Sequence, residues 1–185
     1  MIADIEKDAA GRMQQAVEYA REDLATIRTG RAHPAMFNKL TAEYYGAPTP
    51  LQQLATFSSP DARTMLITPF DRSSIGAIEK SIREADLGVN PSNDGNSIRV
   101  VMPQLTEERR KEYIKLAKSK AEDARIVVRN ARLQAMESLK KSEKDGEISK
   151  DDLARAEKSV DAQTKKFTDQ IDDLLKHKEQ ELLEV

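Results

Sequence analysis

Apolar residues recur along the first thirty positions at steps of three and four: Ile2, Ile5, Ala9, Met13, Ala16, Ala20, Leu24 and Ile27. That spacing lines one face of an α-helix, and the pattern carries the helix to near Gly30. A second stripe, Ala117, Ala121, Ala124, Val128, Ala131 and Ala135, follows Thr106, a residue suited to cap a helix start. Glu107 and Glu108 then fall in the first turn, where the helix dipole favours acids, and the stripe predicts a helix of about ten turns. Residues 142–148 break the pattern, and Ser149 with Asp152 three positions on resembles a capping box. A third helix then carries Leu153, Ala156, Val160, Thr164, Phe167, Ile171, Leu174, Lys178 and Leu182 along one seam, over roughly 50 Å. Three such stripes bury one another only as a bundle.

Between the first two helices the chain changes character. All seven prolines fall at positions 34–103, with five of the seven glycines in or just before that stretch. Proline is excluded from helix interiors, so the stretch reads as a separate small domain inserted into a helical one. Strand-like runs at 38–45, 55–58, 64–68 and 97–102 alternate with turn signals at Gly46-Ala47-Pro48 and Asn93-Asp94-Gly95. Residues 73–85 place Ile75, Ile78 and Ile82 at helical spacing. The predicted fold is therefore α+β in two domains. Residues 1–30 and 105–185 form a long three-helix bundle, discontinuous in sequence, and residues 31–104 an inserted small α/β sandwich. Two single-strand crossings, at Gly30-Arg31 and Gln104-Leu105, join them and can serve as a hinge.

Composition narrows the function classes. Only 4% of residues are aromatic and 34% are charged, as suits long amphipathic helices. The absence of cysteine removes disulfides and thiolate chemistry and suits a reducing compartment, the cytoplasm being the simplest. No apolar run approaches the roughly 20 residues needed to span a bilayer, and the acidic, amphipathic start is unlike a secretory signal. The net charge of −2 hides an uneven distribution: residues 105–145 carry 12 Lys and Arg against 8 Asp and Glu, and residues 146–185 carry 7 against 11. On the second helix Lys111, Lys115, Lys118, Arg125, Arg129 and Arg132 step by three, four and seven, which keeps them on one face. Glu122 alone interrupts that row. A charged helix face is most often simply solvated, but this row ends in arginines, whose planar fork suits bidentate phosphate binding. Arg28 and Arg31 lie beside Gly30. Antiparallel helices would put Arg28 near the start of the second helix, so a single patch with Arg132 does not follow.

Catalytic chemistry is not legible. His33 and His177 lie far apart without metal-site companions, so no metal is expected. Gly30 and Gly46 lack the lysine-bearing loop that cradles phosphates, which leaves nucleotide hydrolysis to a partner and requires no cofactor. Ser58-Ser59 and Ser73-Ser74 suit turns and caps. Tyr44 and Tyr45, on an alternating strand, would point one inward and one outward, and neither is assigned to RNA.

One stretch carries a more specific signal. Thr26-Ile27-Arg28-Thr29-Gly30-Arg31-Ala32-His33-Pro34 closely resembles the first-hinge signature of bacterial ribosome-recycling factors. Asp86-Leu87-Gly88-Val89-Asn90-Pro91, Asn93-Asp94-Gly95, Pro103-Gln104-Leu105-Thr106-Glu107-Glu108-Arg109-Arg110 and Val128-Arg129-Asn130-Ala131-Arg132 match in order, so the resemblance covers essentially the whole chain. It implies an L-shaped, non-enzymatic protein with the bundle as long arm. It further implies binding to large-subunit ribosomal RNA on the post-termination ribosome. With elongation factor G and its GTP, the ribosome is then released from mRNA and split into subunits. Arg28, Arg31, Arg129 and Arg132 would contact ribosomal RNA, with Arg125 in the same row, and a monomer is expected because the seam can close within one chain. Two rivals stand beside this reading. A coiled-coil assembly protein would use the same helices and predicts oligomers, and an RNA-modifying enzyme lacks an acid, base or cofactor constellation.

Overall fold

The computed structural model describes residues 1–184. The chain opens with helix α1, Ile2–Ala25, and a 3₁₀ turn at Pro34–Phe37. Then follow β1 (Thr41–Tyr44), β2 (Ala47–Pro50), a single helical turn α2 (Leu51–Leu54), β3 (Ala55–Asp61) and β4 (Thr64–Pro69). A second 3₁₀ turn, Arg72–Ser74, leads into α3 (Ile75–Glu84), then β5 (Pro91–Asn93) and β6 (Ile98–Val101). The long helices α4 (Glu107–Lys144) and α5 (Lys150–Leu183) complete it. The described residues divide into two compact units, Met1–Arg28 with Glu107–Glu184, and Thr29–Thr106.

In the helical unit the stripes meet as a three-helix bundle. Ala9, Met13, Ala16, Val17 and Ala20 of α1 pack with Ala121, Ala124, Val128, Ala131, Ala135, Met136 and Leu139 of α4 and with Ala156, Val160, Phe167 and Ile171 of α5. The alanines on α4 leave room for neighbouring axes to approach closely. Val17, fully buried, stands outside the anticipated stripe: the buried arc of α1 faces two helices and is wider than a single three-four ladder. Asp23 of α1 bonds Lys120 of α4 at 2.5 Å, and Arg12 bonds Gln134. Numbers falling along α1 while rising along α4 make these two helices antiparallel.

Helix α1 stops at Ala25, short of the expected end near Gly30. The Thr26 hydroxyl bonds back to the Asp23 carbonyl at 2.6 Å, and the Ile27 N–H reaches only three residues back, to Leu24, which tightens the last turn. The reversal between α4 and α5 is a Schellman motif. Gly146, at φ +75°, donates to the Glu143 carbonyl at 3.0 Å, and Glu147 donates to Ser142 at 2.9 Å. Ser149 then caps α5 as its spacing predicts: its hydroxyl accepts the Asp152 N–H at 3.0 Å, and the Asp152 carboxylate accepts the Ser149 N–H at 3.3 Å.

The other unit holds an antiparallel sheet in the order β3-β4-β6-β5, beside a separate β1-β2 hairpin. Ile78 and Ile82 of α3 are buried with Phe37, Leu51, Met65, Ile67, Ile98 and Val100. The strand expected over 38–45 shortens to Thr41–Tyr44, because residues 34–37 form a 3₁₀ turn capped by His33, whose Nδ1 accepts the Ala35 N–H at 3.1 Å. Two strands escaped the sequence pattern. β2 contains Pro48 and Pro50, paired with Glu43 and Thr41, and β5 begins at Pro91. Both are edge strands, where a missing N–H costs no ladder bond. The hairpin turns at Tyr45 and Gly46, with φ of 51° and 79°.

Candidate nucleic-acid interface

Two arginines of the basic row on α4, Arg125 and Arg132, reach acids on α5, and each arginine in the row has an acid. The Arg125 Nε and Nη2 donate to Asp172 Oδ1 of α5 at 2.8 and 2.6 Å, and its Nη1 donates to Glu122 Oε2 at 3.1 Å. Arg129 Nη1 donates to the other oxygen of Glu122 at 2.9 Å, and Arg132 Nε to Asp161 of α5 at 2.7 Å. The acidic excess of α5 is thus placed against the basic excess of α4, so these two pairs also fix the helices antiparallel.

Exposure separates the three. The Arg125 side chain keeps only 18% of its surface, Arg132 keeps 38% and Arg129 keeps 54%. Burial acts to lower the Arg125 pKa, but bonds to Asp172 and Glu122 outweigh it and leave the guanidinium held more firmly charged than usual. Glu122 is shifted the other way: hydrogen bonds from Arg129 and then Arg125 hold its carboxyl below the ordinary glutamate value. Both shifts favour the charged forms of Arg125 and Glu122. Towards the start of α4, Lys111 pairs with Glu107 at 3.4 Å, and Lys115 and Lys118 are exposed.

Arg28 is exposed just beyond the C-terminal end of α1. Since Asp23 stands opposite Lys120 and Arg12 opposite Gln134, Arg28 falls at about the level of residue 115 of α4. At 1.5 Å per residue that is roughly 20 Å from Arg129 along the axis. The structure does not merge them into one patch. Arg31 and Gln104 are exposed and Leu105 is half-buried, while Gly30 is buried at φ +77°, a conformation that strains any side chain bearing a Cβ. The two crossings share an anchor: Ala32 N–H donates to the Ala62 carbonyl at 2.8 Å, and Met102 N–H donates to the Arg63 carbonyl at 2.7 Å. The Arg63 guanidinium returns two bonds to the Met102 carbonyl, at 3.2 and 3.0 Å. No sequence pattern pointed to Arg63 as the residue holding Met102, because the signal is a pairing across 39 positions.

Among the described residues no group of three His, Cys, Asp or Glu is placed to hold a metal. Tyr44 is half-buried with its hydroxyl on Asp71 at 2.9 Å, and Tyr45 is 87% exposed at the hairpin tip. Asp71 also caps the turn before α3, accepting the Ser73 N–H at 2.9 Å.

A family model described as Ribosome recycling factor matches residues 20–183. A protein of Cutibacterium acnes named ribosome-recycling factor is 62% identical over 184 residues, covering 100% of both chains. One of that name from Kocuria rhizophila is 60% identical over 183 residues, covering 99% of each. A solution structure of a ribosome recycling factor aligns at a TM-score of 0.78 and 41% identity, over 100% of this chain and 98% of the other. A second structure, at a TM-score of 0.67 and 41% identity over 99% of each chain, is described as models for the T. thermophilus ribosome recycling factor and the E. coli elongation factor G bound to the E. coli post-termination complex.

Proposed function

The chain belongs to the ribosome recycling factor family, and from that premise we propose that it binds the post-termination ribosome and, with elongation factor G and GTP, releases it from mRNA and splits it into subunits. The observation that carries this reading is similarity along the whole chain to relatives of that name, one of whose homologues has been placed with elongation factor G on a post-termination complex. The bundle would grip large-subunit ribosomal RNA. Phosphate contacts supply most of the affinity in such interfaces and make it fall as salt rises. Arg129 and Arg132 are the arginines of the α4 row with guanidinium surface to offer, and Arg28 and Arg31 would add contacts at the other end of α1. Arg125 belongs to the same row, with a second role as a clamp on α5.

The inserted unit would move about Gly30-Arg31 and Gln104-Leu105, passing the translocase's force to the ribosome. In this scheme the protein is a lever and makes or breaks no covalent bond, so it needs no cofactor. It would work as a single copy, because the seam of the bundle closes within one chain, and in the cytoplasm, where its ribosome is. No helix among the described residues is long and apolar enough to cross a membrane.

Sedimentation of post-termination ribosomes tests the proposal. Subunit peaks are expected only when this protein, elongation factor G and GTP are present together, with co-sedimentation of the protein weakening as salt rises. Intact ribosomes with no protein in their fraction would overturn it.

A further inference from the structure

A chain that binds RNA through phosphates usually carries a net positive field, yet this one has a net charge of −2, and its arginine row is cancelled locally. Arg125, Arg129 and Arg132 face Glu122, Asp161 and Asp172, so three cations meet three carboxylates. The carboxylates occupy the places that phosphate oxygens would take: each accepts guanidinium N–H bonds at 2.6 to 3.1 Å. The three pairs differ in how readily a phosphate could replace the acid. Arg125 is tied to two acids, one of them on another helix, and is mostly buried. Arg132 is tied to an acid on α5. Among the described residues Arg129 has a single acid, on its own helix two turns away, and both side chains keep about half their surface, 54% and 47%. Exposed pairs of this kind hold weakly and exchange partners without moving a helix.

We propose that Glu122 is a specificity-determining residue, an internal phosphate mimic that occupies Arg129 in the free protein and yields it only to an RNA that offers phosphates in the right geometry. The proposal rests on the reading of α4 as the RNA-facing helix. A flexible polyanion is drawn chiefly by the local field, which Glu122 cancels. A folded RNA that also meets Arg132 and the lysines of the row gains enough from its further contacts to displace the carboxylate. Glu122 thus lowers non-specific binding more than it lowers binding to the ribosome. One carboxylate spans Arg129 and the mostly buried Arg125.

The test compares the full-length wild type with Glu122→Gln, which keeps the side chain's shape and removes its charge. Binding to ribosomes and to poly(U) is measured at several salt concentrations. Glu18→Gln, which removes the same charge beside Arg21 on α1, controls for net charge. For Glu122→Gln, poly(U) affinity should rise about threefold or more, with a salt slope steeper by about 0.7, one further counterion released from a single strand. Ribosome affinity should change less, so discrimination falls. Glu18→Gln should leave the ratio alone, and in an Arg129→Gln background the gain from Glu122→Gln should vanish. An unchanged ratio, an equal shift in Glu18→Gln, or a gain that survives without Arg129 would each overturn the proposal. If the wild type fails to sediment with ribosomes, the reading of α4 falls and takes the proposal with it. Wild-type sedimentation with an unchanged ratio removes only the role of Glu122.

Discussion

Replacing Arg125 with alanine separates two jobs that a row of arginines conflates, gripping RNA and gripping a neighbouring helix. The Arg125 side chain keeps 18% of its surface, donates to Asp172 through Nε and Nη2 and to Glu122 through Nη1, and so joins α5 to α4. Hydrogen bonds to charged groups contribute about 1.5–3 kcal/mol each where water is excluded. Here Asp172 keeps 54% and Glu122 47% of its surface, so both rehydrate when the guanidinium leaves, and the loss is far below that of a fully buried pair. Alanine is also a slightly better helix former than arginine. The net cost of Arg125→Ala should be about 1–2 kcal/mol. For a chain of this length that lowers Tm by about 2–8 °C. Arg129→Ala, whose side chain is 54% exposed, should stay within about 0.5 kcal/mol of wild type yet weaken ribosome co-sedimentation. Thermal melts by circular dichroism, run beside sedimentation at physiological salt, read both quantities. An Arg125→Ala chain that melts like wild type while losing ribosome affinity would refute the reasoning, because the side chain would then act only on RNA.

Other changes probe the scaffold. Gly11 sits inside α1 with open space where a Cβ would stand, so Gly11→Ala should raise stability by about 1 kcal/mol and Tm by about 2–4 °C; no gain would mean that the site is constrained by something the fold does not show. Ser149→Ala removes the hydroxyl that caps α5 and should cost about 1 kcal/mol by chemical denaturation, with co-sedimentation unaffected. Tyr44 is pushed up to about 12 by its hydrogen bond to Asp71, with burial and the Asp71 charge adding to the effect. Its folded-state pKa lies above the unfolded one, so its stabilisation is complete below pH 10 and is lost as pH rises through about 12. Ultraviolet titration of the four tyrosines should show one late phenol, and Asp71→Asn should bring it back toward the others.

The bundle was readable because its signal is local and repeated. Ala117, Ala121, Ala124, Val128, Ala131 and Ala135 are spaced for a helix face whatever surrounds them, and all six are buried. The cap at Ser149 was readable for the same reason, since a capping box closes within four residues. The inserted unit was less so. β2 and β5 contain or begin with proline and run only four and three residues. What makes them strands is a partner strand at an edge, and that partner lies outside any short window. The end of α1 was misplaced because Thr26 closes the helix before the Gly30 turn that the sequence advertises.

The candidate interface divides in the same way. Sequence alone placed Lys111, Lys115, Lys118, Arg125, Arg129 and Arg132 on one face and marked Glu122 as the acid among them, because helix periodicity needs no knowledge of neighbours. Tertiary structure alone decided that Arg125 is committed to Asp172, that Arg132 meets Asp161, and that Arg129 meets Glu122 on its own helix. It also placed Ala62 against Ala32 on the segment entering the inserted unit and Arg63 against Met102 on the segment leaving it. A side chain's type and its position on a helix follow from the chain. Whether its charge is spent internally or remains for a ligand depends on which acids another element brings within about 3 Å, and folding sets that distance.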